Sequence, residues 1–398
     1  MRFFYYNYMN NYKFSKWSRQ LSGNNRNQLC FCGSGLKYKK CHLLVEDRLK
    51  SQNYTEGKKL KLFELNKLIK ETQVEDVCFG YNLEGTCSSL IINAHTLTRS
   101  LSLKAIEKNG HVYSFRNKDL MDFDSNNGIT KLSKVGVKLA STFKGFCSFH
   151  DDKLFTCLEK NEFIISDEQV LSLLFRTCAL EVYKKKKLLE NHRTNFKTFL
   201  NTFDKRDVEF GANFLTLNLR RAKLDYDDIR EKLDLIIEIK NSKNYERIRT
   251  YALKLKSRIP YVGSGVFAIF KDFFDEELQD VYDLNKIISY SFINIFYDKS
   301  GMAWILFNWL DSCDEVNQKF INEIDKLSDS EKINAFSNLI LNYSENIFFN
   351  IDYIDNLSIR MRTNLETKFT LTMNGKFIKL NENLIPINCE IDSSYKKW

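Results

Sequence analysis

Apolar residues recur along this chain with two different periods, and the switch between them predicts the architecture. From Lys58 to Gln73, Leu62, Leu65 and Ile69, with Leu68 beside them, fall on one face of a helical connector. Ser166-Asp167-Glu168-Gln169 reads as a capping box that opens a second helix. Val170, Leu173, Leu174, Cys178 and Val182 form its inward stripe, and Lys184 to Lys187 close it where cations suit the helix dipole. Residues 207–256 place Leu224, Ile229, Leu233, Ile236, Ile237, Tyr251 and Leu255 among charges, which predicts an antiparallel helical pair. Pro260 and a Gly263-Ser264-Gly265 turn then mark a boundary. Beyond it the pattern shifts to apolar runs, Ile287 to Tyr297 and Met302 to Trp309, joined by Asp298-Lys299-Ser300-Gly301. A second capping box, Ser328-Asp329-Ser330-Glu331, starts a helix through Leu339 and Leu341. Asn374-Gly375 predicts a last hairpin, between Phe369-Thr370-Leu371-Thr372 and Phe377-Ile378-Lys379-Leu380.

The expected fold class is α+β in four segments: a small metal-stapled module over 1–55, a Cys/His-rich region over 56–165, a helical region over 166–257, and a mixed α/β domain over 258–398. The chain has 398 residues, 43% hydrophobic and 28% charged, the balance of a globular protein. No apolar run reaches the roughly 18–20 residues that a membrane span requires. The aromatic, Asn-rich start has no hydrophobic leader, so a cytoplasmic, bacterial protein is expected. Charge changes the picture further. Residues 1–70 carry 15 Lys and Arg against 4 Asp and Glu, while the whole chain has a net charge of only +9. A basic head on a near-neutral body predicts an anionic partner, either nucleic acid or the acidic face of a protein or ribonucleoprotein.

Six of the ten cysteines lie in the first 150 residues. In a reducing compartment such clustering points to metal binding or catalysis before disulfides. Within Arg26-Asn27-Gln28-Leu29-Cys30-Phe31-Cys32-Gly33-Ser34-Gly35-Leu36-Lys37-Tyr38-Lys39-Lys40-Cys41-His42, three thiols and an imidazole make the donor set of a closed tetrahedral zinc site. Cys30 and Cys32 reach the ion from one tight turn, and Cys41 with His42 closes the shell. Gly33 and Gly35 let the backbone bend between them. This segment resembles the SEC-C motif, the zinc module named from the C-terminus of the SecA translocation motor. Gln28, Leu29 and Phe31 depart from the Asp, Pro and Pro common there, but every ligand position is kept. The resemblance implies a docking element for a protein or ribonucleoprotein partner, with no catalysis of its own.

A second grouping comprises Cys78, Cys87, His95, His111, Cys147, His150 and Asp151. Cys78 and Cys87 offer one ligand pair, and Cys147 with His150 has knuckle spacing for the other; a second structural zinc, a catalytic metal and a metal-free cluster all stay open at this point. His111, alone in Gly110-His111-Val112-Tyr113, reads as a hydrogen-bonded core residue. The arrangement resembles the HNH (His-Me finger) nucleases, which set zinc knuckles around a ββα unit. That resemblance implies His95, at the end of a first strand, as general base. It also implies Cys147 to Asp151 as the closing segment. The second knuckle lacks its second Cys, and Asn117, Asn126 and Asn127 compete for the central Asn. His150 also cannot serve a structural zinc and a catalytic metal together. Two functions follow: a zinc-binding docking protein, and alternatively a metal-dependent nuclease of the kind used in antiphage defence.

Overall fold

The computed structural model describes residues 27, 29–30, 35–41, 63–64, 66–67, 74–83, 85–88, 90–202, 205–283 and 286–398, the side chains of 196–214 excepted. Two compact units interleave along the sequence. The first gathers Met1–Glu75, Asp119–Met121 and Lys184–Arg230; the second gathers Asp76–Lys118, Asp122–Tyr183 and Glu231–Trp398.

In the second unit, strands β1 (Ile91–His95), β2 (His111–Phe115), β3 (Leu132–Gly136) and β4 (Thr142–Cys147) lead into helix α1 (Ser148–Glu159). Two long helices follow, α2 (Asp167–Thr202) and α3 (Lys205–Ser242). After them come strands β5 (Ile248–Leu255), β6 (Tyr261–Phe267), β7 (Ser291–Tyr297) and β8 (Ala303–Leu310), then helices α4 (Asp314–Ile324) and α5 (Asp329–Tyr343). Strand β9 (Ile347–Phe349), helix α6 (Ile359–Met373) and strand β10 (Ile391–Lys397) complete the chain. An eight-stranded sheet runs in the order β10-β5-β8-β7-β6-β9-β2-β3, and β1 and β4 pair separately. All neighbouring strands in both sheets are antiparallel. The class is α+β, as the pattern predicts.

The centre of the large sheet explains the apolar runs. Every residue of β7 and β8 is buried, the condition that turns an alternating strand into a continuous apolar one. Their connecting turn is the expected one, with Gly301 at φ 80°. The first strand starts later than its apolar run suggests, because Ile287 is 97% exposed. Both capping boxes form. Ser166 Oγ accepts from the Gln169 amide while Gln169 Oε1 accepts from the Ser166 amide, and Ser328 and Glu331 do the same at α5.

Several expectations are corrected. Helix α2 does not stop at Lys184 to Lys187 but runs on to Thr202. Its antiparallel partner is α3, the two meeting in the first unit through Leu189, Leu219 and Ala222 and through the Lys185–Asp225 ion pair at 3.0 Å. Tyr251 and Leu255 lie on strand β5, not on a helix. Their spacing suits either element, and the strand wins because β8 and β10 satisfy the β5 backbone on both edges. Gly263 and Gly265 are inside β6 rather than in a turn. A Cβ at Gly263 would lie 2.5 Å from Ile340 Cδ1, so glycine there is demanded by α5 packing close to the strand. Finally, Phe369 to Thr372 belong to α6, and Asn374-Gly375 ends that helix instead of turning a hairpin. Gly375 (φ 77°) takes the left-handed position after the helix, and the Lys376 amide donates to Leu371 O at 3.0 Å.

Candidate metal centre

The described part of the first Cys/His segment is a small reversal. Leu29 and Lys37 form an antiparallel bridge, and the Cys30 amide donates to Leu36 O at 2.6 Å. Gly35 stands between them at φ +72°, a conformation that disfavours other residues. A 3₁₀ turn over Tyr38–Lys40 follows, and the Cys41 amide donates to Tyr38 O at 3.1 Å. Cys30 is buried and Cys41 half-buried. Cys32 and His42 lie outside the described residues.

The second group is described completely. Strands β1 and β4 pair with Ile91 opposite Cys147 and His95 opposite Thr142, and α1 begins immediately after Cys147. This gives the ββα order, with residues 96–141 inserted between its strands. Phe146 anchors the unit from the apolar side, its ring lying 5.0 Å from Phe155, 5.6 Å from Phe175 and 5.7 Å from Phe143 between centroids. With that face packed, Cys147 and the first turn of α1 present their side chains to the loop that carries Cys78 and Cys87. The Phe79 amide ties this loop to Gly145 O at 2.9 Å.

Around His150, wholly buried, the three thiols converge on one ring nitrogen. Nδ1 lies 3.4 Å from Cys78 Sγ, 3.5 Å from Cys87 Sγ and 3.3 Å from Cys147 Sγ. All four donor atoms lie within 4.8 Å of one another. Zinc bonds of about 2.3 Å to sulfur and 2.0–2.1 Å to nitrogen, at tetrahedral angles, would separate S and N by about 3.6 Å. The Cys₃His set therefore has the size and chemistry to hold a metal ion. Glycine makes the approach of the ring feasible: a Cβ at Gly80 would sit 2.7 Å from His150 Cγ.

The thiols are unequal without a cation. Burial pushes the Cys78 thiol up to about 12. Cys147 is also buried, yet hydrogen bonds from Ser88 and His150 bring it down to about 6. One thiolate is accommodated, and its charge together with the shared low dielectric resists the next. A divalent cation among them would favour the deprotonated form of all three. Ser88 is the contributor that spacing did not reveal. Its hydroxyl lies 3.0 Å from that of Ser148, and the shared signal is a serine following a thiol in both Cys87-Ser88 and Cys147-Ser148.

The remaining candidates fall elsewhere. His95 ends β1 and donates through Nε2 to Val137 O at 3.1 Å; burial lowers its pKa, so the ring is neutral near pH 7. Asp151 faces Arg176 at 3.7 Å, and Arg176, 1% exposed, also pairs with Glu159 at 3.1 Å. No hydrogen bond or ion pair joins His95 to Asp151 among the described residues. His111 is exposed on β2 instead of in the core, with Nδ1 bonded to Asn109 O at 2.8 Å. Asn117 and Asn126 are engaged with Thr130 and Asp122 within the insertion.

Comparison with known families agrees with the first segment: the SEC-C motif model matches residues 26–44. Comparisons with curated proteins and with solved structures give no match. Among the described residues no helix is long and apolar enough to cross a membrane.

Proposed function

We propose that this chain is a zinc-binding, cytoplasmic docking protein in which two structural ions brace separate regions. Cys78, Cys87, Cys147 and His150 would hold one, and Cys30, Cys32, Cys41 and His42 the other. The basic, SEC-C-like segment would present the surface for a protein or ribonucleoprotein partner. The convergence of three thiols on His150 Nδ1 carries this reading. Four protein donors fill a tetrahedral shell and leave no position for substrate, so the expected role of the ion is to hold structure. Elemental analysis of the purified chain should give two zinc ions, falling to one in Cys147→Ser and in His150→Ala. An unchanged zinc content in both variants would remove the second site from the reading.

The nuclease reading retains one supporting observation: a neutral His95 at the end of the first strand of a ββα unit. Against it, His150 points into the thiols, and Asp151 faces an arginine where a catalytic cation would be needed. The zinc-loaded protein is therefore expected to leave single- and double-stranded DNA and RNA intact with Mg²⁺ or Mn²⁺. Cleavage that disappears in His95→Ala would reverse the ranking. For docking, the partner is expected to be lost in Cys30→Ser and Cys41→Ser but kept in Cys147→Ser, as read by co-sedimentation with ribosomes or recovery of a protein complex.

A further inference from the structure

Within the second unit, the loop after β1, helix α2 and strand β7 line a cavity of about 20 Å³. Every residue lining it is buried. Most of the wall is apolar, yet three of its polar side chains have unmet hydrogen-bonding atoms among the described residues: Thr96 Oγ1, Arg176 Nε and Nη1, and Asn294 Nδ2. All three side chains are at least 97% buried. The other ends are committed: Asn294 Oδ1 accepts from Thr177 at 2.8 Å, and Arg176 Nη2 donates to Glu159 at 3.1 Å. The guanidinium is also held over the Phe155 ring at 4.0 Å, so it cannot swing away without losing that contact.

Buried donors of this kind are normally matched, because an unmatched one carries its full desolvation penalty. The wall also says what would match them. Arg176 sets a positive charge on one side and opposes a cation. Asp298, 4% exposed, sets a carboxylate on another and opposes an anion. Asp298 Oδ1 accepts from Ser300 Oγ and the Met302 amide, while among the described residues Oδ2 accepts only from Trp304 Nε1. A carboxylate oxygen has two accepting positions, so Oδ2 keeps one. A neutral molecule that accepts from the donors and donates to Asp298 or Thr96 satisfies all of these groups. One water requires about 10–15 Å³ of such room.

We propose that this cavity is a built hydration site, occupied by one or two ordered water molecules that join α2 and the loop after β1 to the large sheet at Asn294. The water accepts from Arg176 and Asn294 and is shared with the Thr96 hydroxyl. It is distinct from the thiol cluster, and the prediction holds whether or not a metal is bound there.

The test combines a high-resolution crystal structure of the full chain with a substitution whose sign discriminates. Density within hydrogen-bonding distance of Asn294 Nδ2 and of Arg176 Nε or Nη1 is expected, with no anomalous peak after a bromide soak. An empty cavity or a bromide peak there overturns the proposal. Thr96→Val keeps the shape of the side chain and removes its hydroxyl. If water is present, the variant loses a hydrogen bond and Tm falls by about 2 °C. In a dry cavity the same change deletes an unmatched hydroxyl and Tm stays level or rises, which would refute the water.

Discussion

The two Cys/His groupings of this chain are built in opposite ways. In the first unit the candidate donors lie between residues 30 and 42, a stretch in which a backbone reversal pairs Leu29 with Lys37. In the second unit, Cys78 and His150 are separated by 72 residues and meet only because β1, β4 and α1 are already packed. A local site depends on its ion for order, since so short a segment buries little apolar surface. A dispersed site is preorganised by the fold, and its ion tightens what packing has brought together. The difference separates a motif readable as a string from one readable only as a fold.

The strongest way to break this contrast is to remove a ligand from each site. In Cys41→Ser the local segment should lose most of the roughly 10 kcal/mol that a bound zinc would supply to a small module. The Cys30 amide, bonded to Leu36 O, should then exchange at an unfolded rate. In Cys147→Ser the β1–β4 amides should stay protected and only the melting temperature should drop; loss of that ladder would make both sites equally metal-dependent. Next in size, Phe146→Ala should destabilise the second unit by about 3–5 kcal/mol. It should weaken metal binding there and leave the SEC-C-like site unaffected, which calorimetry with metal titration would read separately.

A smaller effect distinguishes the units by pH. Burial holds the His192 imidazole of α2 down to about 4 from its ordinary 6.5. As pH falls, the unfolded chain takes up this proton before the folded one does. The stability that neutral His192 contributes is therefore complete above pH 6.5 and lost by pH 4, about 2–3 kcal/mol in all. His192→Leu should flatten that part of the acid-unfolding curve, and an unchanged curve would show that this imidazole does not titrate differently in the folded and unfolded chains. The mildest test compares two glycines. Gly80→Ala forces a Cβ against the His150 ring and should cost about 1–3 kcal/mol with a loss of metal affinity. Gly35→Ala meets nothing within 4 Å and should cost only about 1 kcal/mol of backbone strain.

The same contrast governs what the sequence made legible. The thiols and His150 could be grouped because cysteine and histidine are scarce and their flanking glycines mark tight approaches. The capping boxes were legible because their side chains act on their own turn. Ambiguous signals failed where tertiary context decided. Asn374-Gly375 serves a helix end as well as a hairpin, and the α6 packing of Phe369 and Thr370 settles the matter. Gly263 answers to the close approach of α5, and Gly265 to Ser344 just past it; the helix was legible, but its packing against β6 was not. The Arg176 cluster was invisible because its partners, Asp151 and Glu159, lie on another helix.

The insertion between β1 and β4 leaves the ββα unit and returns to it at one place. Its strands β2 and β3 end the large sheet, where β2 meets β9 with Tyr113 opposite Phe349, a contact far along the chain. The neck of the insertion is the β1–β4 pair beside the thiols. The paired neck fixes both ends of the insertion, so β2 and β3 reach the sheet edge from a closed base. An ion bound among the thiols would clasp that base, tying both ends of the insertion to the start of α1.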